Sequence, residues 1–233
     1  MIDANVLYSK SSLGTQILLT SAGSSILVDV GDGALRDLAN IHFQFETLRA
    51  ILVTHEHADH TGGLFSLLHF MKHLPHNGPL FILVPKPIQY IRKLVEKPLM
   101  YSEIPFEVVV KEVEQGNEMN IDNFEISPFR AAHVDFDSMG YNIRDQEGYR
   151  IVVSGDTMAT PELLAVVKGA DLAILESTFE DGQEKYAKAF GHMTVSEARS
   201  VGKLAKKTLL VHQMPQDYFA QMTCAKLPDD SSN

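Results

Sequence analysis

The sequence predicts an α+β fold in which β-sheets are covered by helices. Three observations carry this prediction. Short apolar, β-branched runs recur along the whole 233-residue chain. Helical signatures are interspersed among them. No Gly-, Ser- or Pro-rich linker divides the chain, so residues 1–227 read as one domain, followed by a polar flexible tail over residues 228–233.

Candidate strands cover residues 17–19, 25–30, 50–53, 80–84, 106–110, 124–129, 150–153, 172–175 and 208–211. Each is short and rich in Val, Ile, Leu or Phe. Between them, Leu64, Leu67, Leu68 and Met71 repeat at helical spacing. A second helix is expected over residues 88–95. Thr160-Pro161-Glu162 reads as an N-cap, a proline in the first turn and an acidic first turn. Thr194 and Glu197 form a Thr-x-x-Glu capping box, opening a helix expected to run to about Lys207.

Composition narrows the function. Apolar residues are 45% and charged residues 21%, which excludes a disordered chain. Acidic residues number 30 against 20 basic ones, so the field does not favour indiscriminate nucleic-acid binding. No apolar run approaches the ~20 residues that span a bilayer. The N-terminus shows no signal-peptide pattern. Cys224 is the only cysteine, which excludes an intrachain disulfide and a cysteine zinc knuckle. A cytoplasmic protein with no membrane partner is expected.

The chemistry lies in Thr54-His55-Glu56-His57-Ala58-Asp59-His60-Thr61-Gly62-Gly63, directly after a strand. Side chains at i and i+2 of an extended segment point the same way, so His55 and His57 can grip one metal. Asp59 and His60, one turn on, can serve a second. Three distant segments add strand-end ligands: Ala131-Ala132-His133, Ser154-Gly155-Asp156 and Leu210-Val211-His212. Nitrogen and oxygen donors without cysteine suit two divalent ions; zinc fits best, with manganese or iron as alternatives. A carboxylate such as Asp156 can bridge them. His69, His73 and His76 lack the acidic or cysteine partners that a further metal site needs.

At these residues the chain resembles the metallo-β-lactamase superfamily, over nearly its whole length. The resemblance implies an αββα sandwich of two mixed β-sheets flanked by helices, with a dinuclear site at one edge. It implies His55, His57 and His133 on the first metal, and Asp59, His60 and His212 on the second, with Asp156 bridging. Asp29, in Val28-Asp29-Val30-Gly31-Asp32-Gly33, matches the first motif, whose carboxylate stands behind the ligands. Leu175-Glu176-Ser177-Thr178-Phe179 and Gly191-His192-Met193-Thr194 resemble segments of ribonuclease Z-like phosphodiesterases, which implies that Glu176 and His192 pair beside the scissile phosphate. Classical β-lactamases of the superfamily need a cysteine ligand. Its redox diiron members have glutamate where His57 stands.

The expected function is a dinuclear metal-dependent phosphodiesterase acting on a small or nucleotide-like phosphodiester. Asp59 would orient and deprotonate the nucleophile, and His192, oriented by Glu176, would protonate the leaving oxygen. The alternatives are a carboxyl-ester, lactone or thioester hydrolase with the same metals, and a non-catalytic metal-binding protein. The stretch between His133 and Asp156 is too short for the long tRNA-gripping arm of many bacterial ribonucleases Z, so tRNA is not expected as a partner. Lys185, Lys188, Arg199, Lys203, Lys206 and Lys207 are either a phosphate-attracting rim near His192 or a solvated helix face. A homodimer is compatible with the sequence.

Overall fold

The computed structural model describes residues 1–88, 90–96, 105–134, 137–219 and 221. Cys224 and the tail expected over residues 228–233 lie outside them. Two six-stranded mixed sheets form the molecule. The first runs β1 (Asp3–Lys10), β2 (Gly14–Ser21), β3 (Ser24–Val28), β4 (Leu48–Leu52), β5 (Leu80–Pro85) and β6 (Val108–Val113) in spatial order. The second runs β12 (Thr208–Val211), β11 (Leu172–Glu176), β10 (Arg150–Val153), β9 (Ser138–Asp145), β8 (Phe124–Ala131) and β7 (Met119–Ile121).

Alternation along the strands builds three apolar layers. Ile17, Leu19, Ile26, Val28 and Leu52 pack inward against Ile126, Tyr141, Ile143, Ile151 and Ile174 of the other sheet. Leu18, Leu27, Ile51 and Ile82 face outward, onto α1 (Ala34–Asn40) and α3 (Leu64–Met71). Val152, Ala173 and Leu175 face outward on the other side, onto α5 (Pro161–Val167) and α7 (Val195–Gly202). The central strands are thus apolar on both faces, and their sequences read as continuous apolar runs. This is the αββα sandwich that the resemblance implies. No helix among the described residues is long and apolar enough to cross a membrane.

Two sequence features act as expected at helix starts. Thr160 caps α5, its hydroxyl accepting from the Leu163 N–H at 3.1 Å. The Thr194–Glu197 capping box opens α7, with both reciprocal bonds formed. That helix ends at Gly202, short of Lys207, and Gly202 lies against Thr208: a Cβ there would stand 2.6 Å from the Thr208 methyl. Strand β6 begins two residues later than expected, and α4 (Ile91–Glu96) begins three later. Strands β1, β7 and β9 and helices α1, α2 (Ala58–Thr61), α6 (Glu184–Phe190) and α8 (Gln216–Phe219) were not anticipated.

The sheets are tied together where the site forms. Tyr141, on β9, donates its hydroxyl across the sandwich to the Val53 carbonyl at 2.7 Å. Met139 N–H donates to the Thr54 carbonyl at 2.8 Å. Strands β3, β4 and β5 run parallel, as do β10, β11 and β12, so their carboxyl ends gather along one edge of the sandwich. Ligands bind at such an edge.

Behind that edge the chain segments touch through glycine. A Cβ on Gly31 would lie 2.3 Å from the Asp59 carbonyl and 2.5 Å from the Thr15 nitrogen. Backbone cannot yield as a side chain can, so Gly31→Ala should cost about 1–3 kcal/mol. A lowered denaturation midpoint, with the Asp59 segment displaced, is the expected result; wild-type stability would show that the seam can open freely.

Candidate metal centre

The segment after β4 delivers four of the expected ligands. Val53 ends buried, His55 and His57 follow in extended backbone, and α2 carries Asp59 and His60 in a single turn. His55 Nε2 stands 2.9 Å from His57 Nδ1. His133, just beyond β8, brings its Nε2 to 3.4 Å from the same His57 nitrogen. These three form one group of converging donors.

Asp59, His60 and His212 form another. His60 and His212 face one another through their Nε2 atoms at 3.2 Å, and Asp59 Oδ2 lies 3.3 Å from His212 Nε2. Asp156, at the end of β10, stands between the groups. Its Oδ2 is 3.7 Å from His55 Nε2 and 3.4 Å from His60 Nε2, and its Oδ1 is 3.4 Å from His212 Nδ1. All seven residues expected as ligands therefore meet at one place.

The expected carboxylate behind them is Asp29. It follows β3 with a left-handed φ of 59°. Its Oδ1 accepts the Thr54 N–H at 2.8 Å, and its Oδ2 stands 2.8 Å from His60 Nδ1. With Nδ1 held by Asp29, His60 turns its Nε2 to the centre, the orientation a metal ligand needs. The Thr54 hydroxyl, donating to Asp29, also faces His55 Nδ1 at 3.1 Å.

Charge at the centre is strongly shifted. Burial and the neighbouring histidines hold His55 well below the usual imidazole range, so it stays neutral and able to bind a cation. Burial also lowers His133. Burial opposes the charge of His60, but Asp156 and Asp29 outweigh it and raise that imidazole well above its ordinary value. Asp156 itself is held well below the carboxylate range, burial notwithstanding, by His212, His60 and His55. Carboxylates converging on buried histidines make a place that stabilises positive charge.

His192 and Glu176 sit beside the centre. His192 Nδ1 faces Glu176 Oε1 at 2.9 Å. Burial opposes the imidazolium, yet Glu176 and then Asp156 raise it to about 9. Glu176, 1% exposed, is saturated: it accepts from the N–H groups of Thr157, Thr178 and Met193 and from the Thr178 hydroxyl. No oxygen of it is free to meet a substrate, so it is a positioning residue for His192. The Thr178 hydroxyl also lies 3.0 Å from His212 Nδ1, linking the pair to the second donor group.

A cavity of about 390 Å³ opens over these residues. His57, Asp59, His133, Asp156, His192 and His212 line one part of it, and Phe179, Phe190, Met214 and Phe219 another. The sequence reading missed this apolar wall, and also Thr54 and Thr178. The two threonines stand inside the quoted motifs, but spacing gives no sign of what a hydroxyl bonds. Phe190 and Phe219 of that wall come from α6 and α8, which were unanticipated, while Phe179 stands in a quoted motif.

Other candidates fall away. Glu56 accepts the N–H groups of Tyr90 and Ile91 at 2.9 and 2.8 Å, serving the start of α4 instead of the centre. His76 holds backbone carbonyls of Gly78 and Leu48, and His69 stacks on Phe65. Lys206 pairs with Asp171 at 2.7 Å, at the opposite end of β11 from Glu176, so it does not belong to a rim around His192.

Comparison with known proteins agrees with this centre. A family model described as Anti-Pycsar protein Apyc1 matches residues 4–223. Ribonuclease Z of Archaeoglobus fulgidus is 24% identical, with 84% of this chain and 80% of that one covered. Ribonuclease Z of Treponema denticola is 28% identical, over 87% and 82%. The crystal structure of human tRNase Z, short form (ELAC1), superposes with a TM-score of 0.81 at 25% identity, covering 94% of each chain. The expectation that tRNA is not a partner is not borne out by these relatives. It rested on the short stretch between His133 and Asp156 and on the acidic composition of the chain. The chain belongs to the family described as Anti-Pycsar protein Apyc1 and is a metal-dependent hydrolase of phosphodiesterase type, ribonuclease Z-like, within the metallo-β-lactamase superfamily.

Proposed function

We propose that the chain holds two divalent ions, preferentially zinc, and hydrolyses a small or nucleotide-like phosphodiester. The observation that carries this reading is the sharing of Asp156 between two donor groups, beside the His192–Glu176 pair. His55, His57 and His133 would hold the first ion, and Asp59, His60 and His212 the second, with Asp156 common to both. Two nitrogens on a tetrahedral zinc at ~2.0–2.1 Å stand roughly 3.3 Å apart. The separations of 3.2 Å for His60–His212 and 3.4 Å for His57–His133 support zinc. Manganese or iron would suit the same sulfur-free donors.

Such ions supply a water of lowered pKa and neutralise charge on phosphate oxygens. The residues do the rest. Asp59 orients the attacking water and accepts its proton. His192 has Nδ1 committed to Glu176, which leaves Nε2 to donate a proton to the leaving oxygen or to hold a phosphate oxygen. The cavity of about 390 Å³ suits a small or nucleotide-sized ester, and its phenylalanine wall suits a planar group.

The test is direct. Purified protein should contain close to two ions per chain and cleave bis-nitrophenyl phosphate. A strong chelator should abolish turnover, and added zinc or manganese should restore it. Much faster turnover of lactones or thioesters in the same assay would move the assignment to carboxyl-type esters. A chain loaded with metal and inert towards every ester would be a binding protein.

A further inference from the structure

The turn between β1 and β2 lies on the first sheet, yet it touches the centre from the side of the second donor group. Ser12, with a left-handed φ of 63°, donates its backbone N–H to Asp59 Oδ2 at 2.7 Å. Ser9 Oγ accepts the backbone N–H of His212 at 3.0 Å. His212 is itself left-handed, with a φ of 59°, just past the end of β12. Ser11 N–H donates to the Gln213 carbonyl at 3.3 Å, and Lys10 bridges to Gln213. One hairpin of the first sheet thus holds the edge strand of the second sheet and, through it, a ligand.

The turn is itself braced. Leu13 N–H bonds back to the Lys10 carbonyl, and the Thr15 carbonyl accepts the Gly31 N–H at 3.0 Å. The first donor group is oriented from elsewhere: Thr54 faces His55, and the Gly191 carbonyl faces His133 Nδ1 at 3.4 Å.

Resting on the two-ion reading above, we infer that the β1–β2 hairpin is a positioning element for the second ion, through the Ser12 N–H on Asp59 and the Ser9 hydroxyl behind His212. A charge-assisted N–H bond occupies one direction at Asp59 Oδ2 and fixes the carboxylate rotamer. The Ser9 bond fixes the backbone that aims the His212 ring. Groups that orient ligands in this way typically change metal affinity by about 10–100-fold. The effect falls on one ion because the hairpin meets only ligands of the second group in these bonds.

The experiment is a zinc titration at buffered free metal, reading both equivalents by elemental analysis and a competing chromophoric chelator. Ser9→Ala removes the acceptor behind His212. Ser12→Pro removes the N–H and, because proline cannot adopt the positive φ, also displaces the turn, whereas Ser12→Gly keeps both the N–H and the positive φ. The expected result is second-ion affinity weakened about 10–100-fold in Ser9→Ala and Ser12→Pro, with the first ion unchanged. Ser12→Gly should retain wild-type binding of both. Should Ser12→Pro not fold, Ser9→Ala still decides. Two ions in the wild type, with both or neither weakened in Ser9→Ala, overturns the hairpin assignment alone. Fewer than two ions in the wild type overturns the two-ion reading and the assignment with it.

Discussion

Asp156→Ala should empty the centre of both ions and lower the rate of phosphodiester cleavage by on the order of 10³-fold or more. Metal assistance contributes several kcal/mol to such a reaction, and each 1.36 kcal/mol is about a factor of ten. The loss should exceed that from any single histidine, because its two oxygens approach donors of both groups. Asp156 approaches His55, His60 and His212 within 3.4–3.7 Å. It is also the buried negative charge that balances them: burial alone would raise its pKa, and the histidines pull it well down instead. Without it, one carboxylate fewer offsets the charge of two cations in a buried site. His133→Ala, by contrast, should weaken one ion and spare the other. Elemental analysis of the two variants beside the wild type separates the cases. An unaltered metal load in Asp156→Ala would falsify its bridging role.

The sequence revealed the centre better than its surroundings, for a physical reason. Metal-type ligands must come from few residue types, and strand ends deliver them repeatedly, so His55, His57, Asp59, His60, His133, Asp156 and His212 stood out by type and place. Strands β3, β4, β10 and β11 were equally legible, because burial on both faces demands continuous apolar runs. Strand β9 was not. It carries Ser138, Gly140, Asn142 and Arg144, and Gly140 is there because the Phe129 ring of β8 lies over it: a Cβ would stand 2.1 Å from that ring. Such a strand is specified by its neighbour, not by its own pattern. Strand β1 is an edge strand with no fully buried residue, so its apolar signal is short and interrupted by polar residues. These two illegible strands matter to the centre. One carries Tyr141, which pins Val53; the other leads into the turn that reaches Asp59 and His212.

His192→Ala should lower kcat roughly 10²–10⁴-fold on an alkyl phosphodiester, the range for general acid–base catalysis, while leaving both ions bound. Metal should stay because His192 is not among the seven proposed ligands, its Nδ1 being held by Glu176 at 2.9 Å and standing 3.9 Å from Asp156 Oδ2. The leaving group decides between roles. A nitrophenolate needs little protonation, so a proton donor at His192 predicts a small loss there and a large one with the alkoxide. Equal losses with both esters would indicate that His192 grips phosphate. Glu176→Gln adds a second readout. Against the cost of burial, Glu176 raises His192 to about 9, which keeps it a proton donor through neutral pH. Without that carboxylate the imidazolium loses its proton at lower pH. The alkaline limb of the kcat profile for the alkyl ester should therefore move down in pH. Glu176 also accepts N–H groups of Thr157, Thr178 and Met193, so its loss risks the local backbone. Glutamine keeps the acceptor oxygen and the shape, and a merely structural defect would lower the rate without moving that limb.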